Sequence, residues 1–377
     1  MSQFDNFVTQ IESLPDLVRE QNPLINDRMR LLLTMPEIYG IRQIILTGSG
    51  DSYFAAQAVA PAMRAWTGLP VDAMVAMEAS RYIDAGRAPL AGRNRGLLVV
   101  SISSSGEPAR VVEATQRLRN LGALTLALTA NPQSRLGLAA ERILDVAIPP
   151  STNAPGTRSY VATLLAAYAV AIRIAEVLMT LTMDEANALR KEVTELADAV
   201  GAASEASMQP IARLAEEWKS YVSADVLGSG PALATAGYAA AKLVEAAGVH
   251  ASAQDSEEFH HLNYFVAAPE TVPAIVFAPS RAVSAARSRE LVETLAGLGR
   301  PTLTITDSAD IGAHGTTVVL PATREWFAPI VQTVPAAFIA AAWAQQNDAI
   351  HYRGHSGRWQ HAAGAGLIRN SPIDLAK

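Results

Sequence analysis

Cysteine is missing from the whole of this 377-residue sequence. Its absence removes structural disulfides, thiolate metal sites and cysteine nucleophiles together. A chain of this kind needs no oxidative stapling, so a cytoplasmic home is the expectation. A surplus of positive charge is also lacking: 30 Lys and Arg face 36 Asp and Glu, and no basic run breaks the pattern. Nucleic acid is therefore not an expected partner. The opening stretch MSQFDNFVTQIESLPDLVRE carries acidic groups and has no cationic start followed by a short apolar core, so it reads as an amphipathic helix and not as a secretory signal. Long apolar runs are scarce. The longest uncharged one, 326–347, has the length of a membrane span but is interrupted by Pro329 and Pro335 and holds Gln332, Gln345 and Gln346. It reads as a buried strand end and helix, at a subunit interface, and no membrane partner is expected.

What is present is repetition. Half of the residues are hydrophobic, enough for two domains that each bury a core. Ile44 to Tyr53 reads IILTGSGDSY and Asp225 to Leu233 reads DVLGSGPAL, which sets Gly48-Ser49-Gly50 against Gly228-Ser229-Gly230. The same spacing sets Gly68 against Gly248 and Glu78 against Glu258, and further on LRNLGALTLALTA from Leu118 matches LAGLGRPTLTITD from Leu295. Short apolar strands at 96–102, 125–128, 274–277 and 302–306 alternate with helical segments. That pattern predicts an α/β fold, with parallel sheets covered on both faces by crossover helices. Ligands of such sheets sit at the carboxyl ends of the strands, where the Gly-Ser-Gly turns fall. An alanine-rich stretch, 184–220, has helical periodicity and joins the halves.

The run SISSSGE, Ser101 to Glu107, follows the strand GLLVV and precedes the helical segment PARVVEATQRL. Three hydroxyls, a glycine and a helix N-terminus can offer several donors to one phosphate without any lysine. A helix cap alone would use a single hydroxyl. The corresponding run of the second half, APSRA from Ala278 to Ala282, has lost the pattern, whereas serines needed only to build the fold would be kept in both copies.

Other motifs fail. Tyr53 stands where a dinucleotide fingerprint needs its third glycine, and neither Ser49 nor Ser229 has the flanking glycines of a nucleophile elbow. Histidines number seven, yet DSEEFHH crowds Asp255, Glu257, Glu258, His260 and His261 together. This is a candidate proton-transfer site, and adjacent side chains on a strand would leave at most one histidine facing a ligand. His351 and His355 share a helical spacing, but lacking a third ligand they read as solvated tail histidines, and no metal is expected.

Taken together, the Gly-Ser-Gly turn, the SxSGE loop, the repeated half and a Glu followed sixteen residues later by a His resemble the double SIS domain phosphosugar isomerases, deaminases and deglycases, in particular the isomerase half of glucosamine-6-phosphate synthase. The resemblance runs from about Pro36 to Lys377. It implies two tandem SIS domains, at 36–190 and 216–347, with an N-terminal helical segment at 1–35, a linker helix at 191–215 and a C-terminal tail at 348–377 closing the site. It further implies a phosphate site of Ser52, Ser103, Ser104 and Ser105, with Pro108 standing where the family has a phosphate-binding threonine. APGTRSYVATL resembles the family's VASTKAFTTQL, which puts Ala154 and Thr157 beside the sugar, together with Gly50 and Glu258. AAKLVEAAGVHA resembles ALKLKEISYIHA, making Glu245 the carboxylate that moves a proton between C1 and C2. That role asks for burial by the surrounding alanine-rich helix. EEFHH resembles GELKH and gives His261 the ring-opening role, with Leu262 and Asn263 in place of the family's Gly-Pro. The final PIDLAK resembles PRNLAK and gives Lys377 the place of the Schiff-base-capable lysine.

The implied reaction is aldose to ketose isomerisation of a ketose or amino-sugar 6-phosphate, coupled to loss of an amine. A homodimer is implied, with His261 reaching the sugar across the subunit boundary. The hydrogen moves internally, so no cofactor is called for. The family's glutaminase domain is not seen, and without cysteine there is no glutamine-hydrolysing nucleophile. A fructosamine-6-phosphate deglycase and a non-catalytic phosphosugar sensor are the alternative functions.

Overall fold

The computed structural model describes residues 2–83, 96–312, 314–355, 357–361 and 366–375. Among the described residues, ten strands form two parallel sheets. The first contains β1 (Gln43–Gly48), β2 (Val71–Val75), β3 (Leu97–Ile102), β4 (Leu124–Thr129) and β5 (Arg142–Asp145), in the order β2-β1-β3-β4-β5. The second contains β6 (Ser223–Gly228), β7 (His250–Asp255), β8 (Ala274–Ala278), β9 (Thr302–Thr306) and β10 (Thr316–Val319), in the order β10-β9-β8-β6-β7. Read from its β7 edge, the second sheet repeats the first strand for strand. Helices flank both sheets, giving two three-layer α/β/α sandwiches, the architecture expected for two tandem SIS domains.

The central strands were legible because they are apolar throughout: every residue of β3, β4, β8 and β9 is buried. The edge strands β2, β5, β7 and β10 are partly exposed, and each is short or interrupted by polar residues. They carry no such run, and sequence reasoning did not find them.

The chain folds into two compact units that are discontinuous in sequence. The first sheet belongs to a unit of residues 17–149, 159–195 and 354–377, and the second to a unit of residues 1–16, 150–158 and 196–353. The expected helix over 184–220 is observed at Met183–Trp218. The apolar run after Trp326 contains no strand end. A 3-10 turn, Glu325–Phe327, leads into a single helix, Ala328–Gln346, buried from Ala328 to Ala344. Pro329 falls in its first turn, where no backbone donor is needed. This span and the helix Arg158–Val177 are long and apolar enough to cross a membrane, yet 100% and 89% of their most apolar windows are buried. Ala328–Gln346 packs on the helix Pro231–Lys242, and its Trp343 meets Trp218 at 5.7 Å between ring centroids.

One ion pair ties the second sheet together. Arg300, with a side chain 0% exposed, donates from Nη2 to Asp225 on β6 at 2.6 Å and from Nε to the Val272 carbonyl at 2.8 Å. Asp225 also accepts from Asn263 (2.8 Å) and Ser252 (3.1 Å). Asn263 thus anchors the loop after the short helix Ser256–His261. Removing one partner of such a pair strands the other. Arg300→Ala should therefore cost about 3–5 kcal/mol of unfolding free energy, read as a drop in the denaturant midpoint, and Asn263→Ala clearly less.

Candidate functional site

Crossover helices diverge where the strand order of a parallel sheet reverses, leaving a crevice outside the carboxyl ends of the strands there. In the first sheet this point lies between β1 and β3. At the end of β1 the chain turns at once into the helix Asp51–Thr67. The turn depends on two glycines: a Cβ on Gly48 would lie 2.8 Å from Ser52 in the first helical turn, and Gly50 has φ +55°. Side chains other than glycine resist both conditions. Ser52 is the second residue of this helix, half-exposed among backbone amides that have no partner within the helix.

At the end of β3 the chain forms the serine loop. Ser103 is 4% exposed, and its hydroxyl accepts from the Gly106 amide at 3.1 Å while remaining able to donate its own proton. The Ser104 carbonyl accepts from the amide of Ala130 (3.0 Å) and the hydroxyl of Thr129 (3.3 Å). The Ser105 hydroxyl accepts from the Glu107 amide at 3.4 Å. Gly106 is buried with φ +70°, and any Cβ there would overlap the Ser134 hydroxyl. The loop is therefore built from its own hydrogen bonds. Among the described residues, the Ser104 hydroxyl is the one of the three not committed to that construction. Pro108 closes the loop as the N-cap of the helix Ala109–Asn120 and makes no side-chain cap bond.

The same position in the second sheet lies between β6 and β8. Its turn is built alike, with Gly230 at φ +59° and a Gly228 Cβ 2.7 Å from the Ala232 carbonyl oxygen. Its donors, however, are already taken. The Asp307 carboxylate accepts from the Ser280 amide at 2.5 Å, and the Glu325 carboxylate accepts from the Val283 amide at 3.4 Å. Asp307 stands where the first repeat has Ala130. Burial pushes the Glu325 carboxyl above the usual carboxylate range, with the Val283 amide acting in the opposite sense. One repeat thus fills its switch point with internal anions, while the other presents an uncommitted hydroxyl there.

Glu245 lies in the second-sheet unit, in a π-helical turn, Leu243–Ala247, that continues Pro231–Lys242. The expected burial by alanine-rich helix is not what the structure shows. The Glu245 side chain is 36% exposed, and its carboxylate is paired with the ammonium of Lys242, whose side chain is 2% exposed. A three-residue spacing within the widened turn leaves the carboxylate at the surface and puts the lysine inside. Lys242 also lies over the Tyr238 ring, 5.5 Å from its centroid, and the Tyr238 hydroxyl is 3.3 Å from Thr157 Oγ1. Thr157 and Ala154 are buried, at 0% and 7%, and lie in the segment 150–158 of this same unit. Sequence reasoning missed Lys242. The signal was available as a lone lysine among the alanines of YAAAKLVEAA.

DSEEFHH is not one strand. β7 ends at Asp255, and Ser256–His261 is a short helix with Asp255 as its cap. His260 and His261 diverge for a helical reason instead. His260 Nδ1 donates to the Ser256 carbonyl at 2.9 Å, whereas the His261 side chain is 64% exposed and meets Glu257 at 3.2 Å. Hydrogen bonds from His261 and Arg287 hold the Glu257 carboxyl below the usual range. Glu258 is exposed on the same helix. His351 is no solvated tail residue: it is 4% exposed, packed edge-on against Phe7 at 5.7 Å, and burial lowers its proton affinity while Glu245 opposes that change. No group of His, Asp and Glu able to hold a metal occurs among the described residues.

Lys377 lies outside the described residues, but the segment before it is held. Glu113, with a side chain 0% exposed, is paired with Arg81 Nε and Arg110 Nη1, each at 2.5 Å, and accepts from the Asp374 amide at 2.9 Å. Arg110 also donates to the Pro372 carbonyl, and Arg135 donates to that of Arg369 at 2.8 Å. The Arg135 amide in turn donates to Glu107 at the end of the serine loop, at 3.4 Å. Arg135 therefore joins the loop to the tail.

Residues 37–173 match the SIS domain model. The matched segment carries the whole first sheet, and the second sheet repeats its topology. Over 332 residues the chain is 26% identical to glutamine–fructose-6-phosphate aminotransferase [isomerizing] of Mycolicibacterium smegmatis, covering 86% of this chain and 51% of that protein. It spans about half the length of the curated relatives it matches. In structure it is similar to the C-terminal domain of glucosamine-fructose-6-phosphate aminotransferase from Francisella tularensis, with a TM-score of 0.81 at 18% identity, covering 93% of this chain and 99% of that one. It is also similar to glucosamine-6-phosphate deaminase from Thermotoga maritima, with a TM-score of 0.64 at 17% identity, covering 89% and 94%.

The tail contacts can be tested directly. Glu113→Ala leaves Arg81 and Arg110 without their shared carboxylate, and the Asp374 amide should lose its hydrogen-exchange protection. Protection in β3 and β4 should change little.

Proposed function

We propose that this chain is a phosphosugar isomerase or deaminase, acting on a ketose or amino-sugar 6-phosphate of the fructose 6-phosphate or glucosamine 6-phosphate type by enolisation between C1 and C2. The observation that carries the reading is the contrast between the two switch points. The loop position that Asp307 and Glu325 fill with carboxylates in one repeat is lined in the other by Ser103, Ser104 and Ser105 beside a helix start. A site that satisfies its donors with anions of its own in one copy is suited to an external anion in the other. The names of the relatives in sequence and structure agree with a sugar phosphate as that anion.

In this reading Ser52 and the Ser103 to Ser105 loop hold the phosphate, with Ser104 as the freest donor. Gly50, Ala154, Thr157 and Glu258 border the sugar. Glu245 takes a proton from one of the two carbons and returns it to the other. Lys242, with its ammonium against Glu245, is added to the set as the cation that steadies the carboxylate and the developing enediolate oxygen. His261 assists ring opening; its exposed imidazole suits a role in a homodimer partner's site. Lys377 engages the carbonyl or amine.

The test combines binding with turnover. Fructose 6-phosphate and glucosamine 6-phosphate should raise the melting temperature of the protein, and substrate hydrogen should exchange with deuterated water. Ser104→Ala removes a charge-assisted hydrogen bond worth about 1.5–3 kcal/mol and should weaken binding by roughly tenfold to a hundredfold. Glu245→Gln should keep the thermal shift and lose exchange by at least roughly a hundredfold. Exchange at the unaltered rate in Glu245→Gln would remove Glu245 as the base. A thermal shift without any exchange would make the protein a sensor of the same ligands.

A further inference from the structure

The π turn that carries Glu245 has a fastening of its own. A helix leaves its last carbonyls without intrahelical donors, and a π turn widens the backbone further. Here those carbonyls are met by one side chain. Arg353 donates from Nη1 to the carbonyls of Val244 (3.2 Å) and Glu245 (3.1 Å), and from Nη2 to that of Ala246 (3.0 Å). The guanidinium lies in the space that Gly248 leaves open: a Cβ at 248, where φ is +71°, would come within 2.6 Å of Nη2. Tyr352, the preceding residue, has φ +57°. A non-glycine residue holds that conformation only when its surroundings compel it. Burial pushes the Tyr352 hydroxyl above its usual range, and Glu245 adds to the push.

From this geometry we propose that Arg353 is the positioning residue for Glu245. Its planar fork spans three consecutive carbonyls as no lysine can, and so fixes where the carboxylate and its Lys242 partner stand. Arg353 meets the turn through its backbone carbonyls. The inference rests on the reading that Glu245 exchanges the substrate proton, and the two fail in different ways.

The experiment uses the full chain with fructose 6-phosphate, following deuterium exchange, KM and the ligand-induced thermal shift. Arg353→Ala should lower the exchange rate constant by about a hundredfold, the scale of a displacement of about 1 Å at the reacting group, with KM and thermal shift within about twofold. Added methylguanidine should restore part of the rate, whereas methylammonium should not. Gly248→Ala, which pushes the guanidinium aside without removing it, should show the same split, and Arg353→Lys should resemble Arg353→Ala. The positioning role is overturned if Arg353→Ala and Gly248→Ala exchange at the unaltered rate while Glu245→Gln does not. It is equally overturned if rate and binding fall together without rescue. Exchange that persists in Glu245→Gln, or is absent from the unaltered chain, would overturn the reading of Glu245 and this inference with it.

Discussion

The strand-to-helix turn at the end of β1, and its twin at the end of β6, are the constraint on which the rest depends. A helix can start within two residues of a central strand only if the backbone passes through a positive φ and the last strand residue offers no Cβ to the oncoming turn. Gly48 and Gly50 satisfy this in the first sheet, Gly228 and Gly230 in the second. The consequence is spatial. The first turn of the helix sits directly at the point where the strand order reverses, so each helix N-terminus opens on the crevice of its sheet. What each repeat then places there is decided by the loop after the neighbouring strand. Serines stand there in one case. In the other, a backbone loop is capped by Asp307 and Glu325.

Much of this was written plainly in the sequence. The Gly-Ser-Gly turns and the second pair of matching segments fixed the duplication, and the buried strands announced themselves because strands covered on both faces are apolar throughout. The SISSSGE loop stood out because its counterpart in the second copy, APSRA, has lost the serines. The less visible parts are those in which the side chain that matters is chosen by its neighbours. Lys242 is an ordinary lysine until the π turn puts its ammonium beneath Glu245. Glu113 is one of many helix carboxylates until Arg81, Arg110 and the Asp374 amide converge on it. His351 read as a tail residue because nothing in its own neighbourhood of sequence predicts Phe7 as a packing partner.

The DSEEFHH run shows a subtler difference. The divergence of the two histidines was anticipated, but for strand alternation; the structure produces it by helical rotation, with the chain leaving β7 at Asp255. The outcome for His261 is similar, since it is the outward-facing member, whereas His260 is bound to the Ser256 carbonyl. Immediately before them, Phe259 is fully buried under the Arg300 guanidinium, 5.3 Å from its ring. The ion pair of the second sheet therefore also seats the helix that presents His261.

The way the serine loop is tied has a thermodynamic consequence. The Ser104 and Gly106 carbonyls accept from Ala130, Thr129 and Leu136, and the Gly106 amide donates to Ser103, so under the proposed reading little chain freedom would remain to be surrendered when an anion arrives. Much of the ordering entropy that a flexible phosphate loop loses on association would then be absent. A rigid cradle of this kind would favour affinity from a few neutral donors, which is what a phosphate loop without a single lysine would require.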